Sequence, residues 1–373
     1  MKVVIAMDSF KGTLSACEAC EIVAKSISEV TPDVQVVIKP MADGGEGTAE
    51  AMIRAANGRW IPQRVMGPLS DMEVEAGFAW FDADKMALVE MASASGLELL
   101  SRGQANPLKT TTYGTGQLIE AASKYGAQKI LLAVGGSATV DGGLGAATAL
   151  GWKFLDRKGN PIPLGGAGLS QIAKMVKPRD FNIPPVEVLC DVENPLCGEQ
   201  GAAKVYGPQK GATPKMVEQL ERGLANLAAL VNKELHRDID NVPGAGAAGG
   251  LAAGAMAFMN ATVVSGIETV MARSNLAEQF QSAEWVITGE GSFDRQSLYG
   301  KVISGIAKLA SRTKARIVVI AGRVDVPPQE YQKLGITAAI ACQTDDMSLD
   351  YALANSRTLL HAAAQQFARK YLP

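Results

Sequence analysis

Two histidines in 373 residues are too few for a histidine-based catalytic triad or a histidine-rich zinc site. Cysteine is also sparse: five, an odd number in a long chain, do not make a disulfide framework. Cys17 and Cys20 have C-x-x-C spacing, but they fall inside an expected helix, 14–30, rather than at its start, so both read as ordinary helix residues. No apolar run approaches the length that spans a bilayer. No leader is expected, because Asp8 follows too soon after Met1. The chain carries no long basic stretch, and its formal charge of −2 leaves no electrostatic footprint for nucleic acid. Walker A and protein-kinase signature strings are absent as well. These absences point to a cytoplasmic, globular protein with no membrane or nucleic-acid partner, whose chemistry falls to Asp, Glu, Lys, Arg, Ser and Thr. The oligomeric state, a homo-oligomer included, stays open.

Glycine, by contrast, is plentiful at 39 residues, and it clusters with charge. The apolar run 129–134 opens into Gly135-Gly-Ser-Ala-Thr-Val-Asp-Gly-Gly143, followed by an alanine-rich helical segment. Glycine lets a backbone come close to a ligand, and a helix N-terminus favours an anion. Asp141 adds a carboxylate, which suits a phosphate that carries Mg²⁺. Asp43-Gly-Gly-Glu-Gly-Thr48, Gly207-Pro-Gln-Lys-Gly211 and Thr288-Gly-Glu-Gly-Ser-Phe-Asp294 repeat the theme. One such loop is an ordinary turn. Four suggest a site for a phosphorylated, metal-bound ligand. Gly244-Ala-Gly-Ala-Ala-Gly249 satisfies the dinucleotide spacing, but a polar segment precedes it instead of an apolar strand, so no NAD site is expected there. It reads as a close-approach backbone at a helix start.

Strand and helix patterns alternate at both ends of the chain: strands at 2–7, 34–39, 285–288, 316–321 and 338–341, with helices at 14–30, 48–57, 301–312 and 349–371. Ser15 and Glu18 have capping-box spacing. Between the ends, segments 59–65, 73–81 and 86–91 look like a meander, and 214–235 is a strongly amphipathic helix. The expected organisation is one α/β domain with a parallel sheet, built from residues 1–60 and 284–373, and an inserted mixed α/β domain over 61–283.

The loop after the first strand, Asp8-Ser-Phe-Lys11, together with the glycine-rich strings above, resembles the bacterial glycerate kinase family. The similarity continues through Glu90-Met-Ala-Ser-Ala-Ser-Gly-Leu97, Thr110-Thr-Thr-Tyr-Gly-Thr-Gly116, Cys190-Asp-Val-Glu-Asn-Pro-Leu196 and Val242-Pro-Gly-Ala-Gly-Ala-Ala-Gly-Gly250, in family order. Met7, Val140 and Ser292 depart from the pattern, standing where proline, asparagine and a basic residue are expected. The resemblance implies a flavodoxin-like domain made of both termini, and transfer of the γ-phosphoryl group of ATP to the 2-hydroxyl of D-glycerate, with Mg²⁺. Under that reading Asp191, Asp294, Lys301 and Lys11 are the candidate catalytic residues. Asp8, Ser9, Lys11, Thr111 and Thr112 are candidates for glycerate. Asp43, Gly44, Gly45, Glu46, Gly135, Gly136, Ser137, Gly142, Lys210, Gly289, Glu290 and Gly291 are candidates for the nucleotide, and Asp141 and Asp191 for the metal. A non-catalytic sensor of a small phosphorylated or carboxylated metabolite is the alternative.

Overall fold

A computed structural model describes residues 1–101, 103–298 and 302–373. The chain divides into two compact units. One comprises residues 1–43, 50–58 and 267–373, the other residues 44–49 and 59–266. The boundaries thus differ from the expected 60/61 and 283/284. Residues 267–283 form helices of the first unit (Gly266–Arg273 and Leu276–Gln281), and the Gly44–Ala49 loop belongs to the second.

The first unit is built on a five-stranded sheet, entirely parallel. Its spatial order is Gln35–Ile38, Lys2–Ile5, Trp285–Thr288, Arg316–Ala321, Ile336–Ala341. Numbered along the chain, that is 2-1-3-4-5, the flavodoxin-like order, whose direction reverses between strands 1 and 3. The physical cause is visible in the strands: Val3 through Met7 and Trp285 through Ile287 are fully buried, as strands covered on both faces must be. The Ala16–Val30 helix starts with the expected capping box of Ser15 and Glu18 and packs Ala19, Cys20, Val23 and Ile27 into the same core. Cys17 and Cys20 are free thiols inside that helix, and burial pushes both up to about 12, so neither is a reactive thiolate. The expected continuous helix 349–371 is two helices, Leu349–Ala354 and Ser356–Tyr371, with Asn355 at the break.

The second unit carries a six-stranded mixed sheet in the order Thr262–Val264, Val186–Leu189, Lys129–Ala133, Met86–Glu90, Glu73–Phe81, Arg59–Met66. The first four strands run parallel, and the last two return antiparallel as the meander. One core lies between this sheet and the helices Tyr113–Tyr125 and Ala247–Met259. A second core gathers Leu220, Leu224, Leu227 and Val231 of the Pro214–Leu235 helix with Trp152, Phe154 and Phe258. Among the described residues no helix is long and apolar enough to cross a membrane.

Phe367 is fully buried and meets the Trp285 ring edge-on at a centroid distance of 5.2 Å. Phe367→Ala is expected to destabilise the first unit by about 3–5 kcal/mol, read as an earlier urea transition of Trp285 fluorescence with the second unit's transition unmoved.

Candidate active site

In open α/β sheets, ligands bind at the carboxyl ends of the strands, next to the reversal of strand order. In the first unit that place is occupied by two expected loops. Asp8 follows the first strand, and its backbone N–H donates to the Gly289 carbonyl at 2.9 Å, which ties it to the loop after Trp285–Thr288. The Asp8 Oδ1 accepts from the Ser9 N–H at 2.7 Å. Phe10 and Leu14 close the next turn by mutual backbone bonds, with Gly12 at φ +80°, leaving Lys11 exposed on its tip. Burial, and the nearby charges of Asp43 and Glu290, push the Asp8 carboxyl up to about 7. Two further expected residues, Asp43 and Glu290, thus lie near Asp8.

Asp294 acts locally. Its Oδ1 accepts from the Gln296 N–H at 2.7 Å and the Ser297 N–H at 3.4 Å, capping the short Arg295–Leu298 turn. Lys301 lies outside the described residues.

In the second unit six of the motif strings converge. Gly135 follows the Lys129–Ala133 strand and donates its N–H to the Gly44 carbonyl at 3.3 Å. A Cβ on Gly135 would strike the Gly45 Cα, so glycine is required for the two backbones to stack. Gly136 accepts from the Leu97 N–H at 2.8 Å, and Ala138 donates to Ser95 at 2.9 Å, which joins the 90–97 string to the 135–143 loop. The 244–250 string closes the other side: the Gly249 carbonyl accepts from the Gly142 N–H at 3.1 Å. Ala248, Gly249 and Gly250 are all left-handed, with φ of 54°, 66° and 88°, so the regular helix begins only at Leu251. That run is sterically costly outside glycine, and it persists because the neighbouring loop holds it. Val140, at one departure from the family pattern, is fully buried in the core.

Asp141, a candidate for the metal, is placed inside the second unit. The carboxylate is fully buried and points to the protein's own donors. Its Oδ2 accepts from the Thr112 N–H at 2.8 Å, the Thr112 hydroxyl at 2.9 Å and the Gly145 N–H at 3.2 Å; its Oδ1 accepts from the Gly143 N–H at 3.0 Å. Burial raises its pKa against the pull of these bonds. An enclosed acceptor bonded in this way braces the loop from inside. Thr111 and Thr112, expected at the substrate, are likewise fully buried, and Thr112 spends its hydroxyl on Asp141 and on the Ala146 N–H.

Lys210 is 2% exposed, and its Nζ donates to the Ser137 hydroxyl at 2.5 Å and the Thr139 carbonyl at 2.8 Å. It underpins the 135–143 loop from inside. Burial pulls its pKa down to about 7, opposed by the Asp141 charge.

Glu90 was not among the expected site residues. It ends the Met86–Glu90 strand, is buried, and accepts from the Thr48 N–H at 3.1 Å and from the N–H groups of Gly47 and Ala49. This carboxylate caps the N-terminus of the Thr48–Ala56 helix, and burial pushes it up to about 7. Its motif was visible in the sequence, but the strand-end placement that gives it this role was not. Asp191 follows the Val186–Leu189 strand, and its Oδ1 accepts from the Ser265 hydroxyl at 2.7 Å and the Gly266 N–H at 3.1 Å. Among the described residues no group of three or more His, Cys, Asp or Glu is placed to hold a metal ion.

Fold and loops together define an α/β protein with glycine-rich backbone cradles at the carboxyl ends of parallel strands. The model of the glycerate kinase family matches residues 3–372. A glycerate kinase of Halalkalibacterium halodurans is 42% identical over 370 residues, covering 98% of this chain and 97% of its own length. The glycerate 2-kinase of Escherichia coli is 42% identical over 372 residues, covering 99% and 97%. The crystal structure of a candidate glycerate kinase 2 from Salmonella typhimurium LT2 matches with a TM-score of 0.85 at 40% identity, covering 99% of this chain and 97% of that one. This chain belongs to the glycerate kinase family.

The lowered Lys210 pKa has a stability consequence. Between about pH 7 and the unfolded value of 10.5, the unfolded state binds a proton that the folded state does not. Stability contributed by this group is complete above that window and is lost as pH falls through it. Urea midpoints of the wild type should therefore rise from pH 7 to 9 relative to those of Lys210→Met. Parallel curves for the two proteins would mean that Lys210 stays charged in the fold.

Proposed function

We propose that this chain transfers the γ-phosphoryl group of ATP to the 2-hydroxyl of D-glycerate, giving 2-phospho-D-glycerate and ADP. Membership of the glycerate kinase family over residues 3–372 carries the reading, and relatives named glycerate kinase and glycerate 2-kinase support it. In phosphoryl transfer the protein positions the reactants and stabilises charge, with little covalent work of its own. The acceptor O2 loses its proton and bonds to the γ-phosphorus as the bond from that phosphorus to the β–γ bridging oxygen breaks, and ADP leaves.

Asp8 is the best-suited general base, because a carboxyl near 7 at the reversal of strand order can take the hydroxyl proton at neutral pH. Ser9 and the exposed Lys11 beside it offer glycerate a hydroxyl and a cation for its carboxylate. Asp294 is the weaker candidate for the base, since one of its oxygens caps a turn. Candidates for the nucleotide are 43 and 289–291 in the first unit, and 44–46 and 135–142 in the second, where Ser137 is held in place by Lys210. Mg²⁺ would arrive on the nucleotide phosphates and need only one or two protein carboxylates, which fits a chain whose described residues offer no ready-made cage. Asp191, at a strand end, is the carboxylate proposed for it.

Coupled ADP release with D-glycerate, and phosphorus NMR of the product, test the reaction. ATP and glycerate binding without ADP release would restore the sensor reading. Two variants test the roles. A base must be deprotonated, so wild-type kcat/KM should fall as pH drops below about 7. Asp8→Asn should lose about a hundredfold or more in kcat and the acid limb with it. Asp191→Asn should raise the Mg²⁺ concentration that half-saturates turnover, by about tenfold. An unchanged Mg²⁺ dependence would leave Asp191 only as the cap of the Gly266–Arg273 helix.

A further inference from the structure

At the opposite end of the Ala247–Met259 helix from the glycine loops, the second unit contains a cavity of about 260 Å³. From Leu251, which packs at Gly143, to Met259, which lines the cavity, the helix rises about 12 Å. The cavity is therefore separate from the loops described above. Its inner wall is aromatic: Trp152 and Phe258 are buried edge-to-face neighbours at 4.9 Å, and Phe181 meets Trp152 at 6.2 Å. The Trp152 indole N–H has no acceptor among the described residues. Two cations, Lys177 and Arg237, also line it, and no acidic side chain does.

Neither cation has a carboxylate partner among the described residues. Lys177 lies over the Phe181 ring at 5.6 Å, exposed at the mouth. Arg237 donates to the carbonyls of Met256 at 2.6 Å and Ala257 at 3.2 Å and to the Asn260 side chain at 2.8 Å. Those bonds use three of the five guanidinium N–H groups and hold the charge in place at the end of the helix. A half-open pocket with aromatic and polar walls, two cations and no acidic side chain in its lining can hold a small molecule by ring contact and charge. A void of about 150 Å³ suffices for benzene, so this one has room for an aryl ring and a short anionic arm.

We propose that this cavity is a second ligand site, which takes a small aryl carboxylate with its ring against Trp152 and Phe258 and its carboxylate toward Lys177 and Arg237. Phenylacetate is the probe, titrated into the full chain by calorimetry, with saturation-transfer NMR to locate the ring. Binding is expected at millimolar concentrations or tighter. The neutral analogue 2-phenylethanol should bind at least about fivefold more weakly, and Lys177→Glu should weaken phenylacetate at least about tenfold. Lys177→Ala should give an intermediate loss, and Lys174→Ala, whose side chain does not line the cavity, should give none. Lys177 is exposed, so these variants are expected to fold, and near-UV circular dichroism checks that they do. The proposal is overturned if phenylacetate fails to bind the wild type at about 10 mM, or if 2-phenylethanol or Lys177→Glu matches the wild-type phenylacetate affinity.

Discussion

The second unit's loops depend on one buried carboxylate. Asp141 collects donors from the 110–113 turn and from the first turn of the Leu144–Ala149 helix, and it is fully buried. Removing it would leave several N–H groups unsatisfied in a dry interior, each costing about 1–3 kcal/mol. The loop between Gly135 and Gly143 is therefore pinned from both directions: Asp141 holds its far end, and Lys210 holds Ser137 and Thr139 in its middle.

Such bracing explains why so many charges in the motif strings are spent internally. Asp141, Lys210 and Glu90 all hold backbone or hydroxyl groups, and all three have pKa values moved toward the neutral form by burial. A cradle made of backbone must keep its shape without a ligand, and hydrogen bonds in a low-dielectric interior are strong enough to do that. Asp8, Lys11 and Asp191, which follow strand ends, carry the roles proposed above for chemistry.

The sheet strands were legible in the sequence because burial on both faces writes an unbroken apolar run, as in 3–7 and 285–287. The capping box at Ser15 was legible because its chemistry is local. Asn355 was not seen as a break, since the apolar spacing continues through it. The roles of Asp141 and Glu90 were beyond reach for a different reason. A carboxylate in a glycine-rich string looks the same whether it will meet a metal or a backbone N–H, and only tertiary placement separates the two. Glu90 meets Gly47, Thr48 and Ala49 across more than forty positions of chain, a pairing that no local pattern records.

The position of the first strand has a consequence for how the protein is made. Lys2–Ile5 lies inside its sheet, between Gln35–Ile38 and Trp285–Thr288. On the ribosome its second neighbour emerges about 280 residues later, roughly a quarter of a minute to a minute at ordinary elongation rates. Throughout that interval an apolar strand with one unpaired edge stays exposed while the 59–266 unit is completed. The nascent chain should therefore be most dependent on chaperones after its second unit has formed and before Trp285 leaves the exit tunnel.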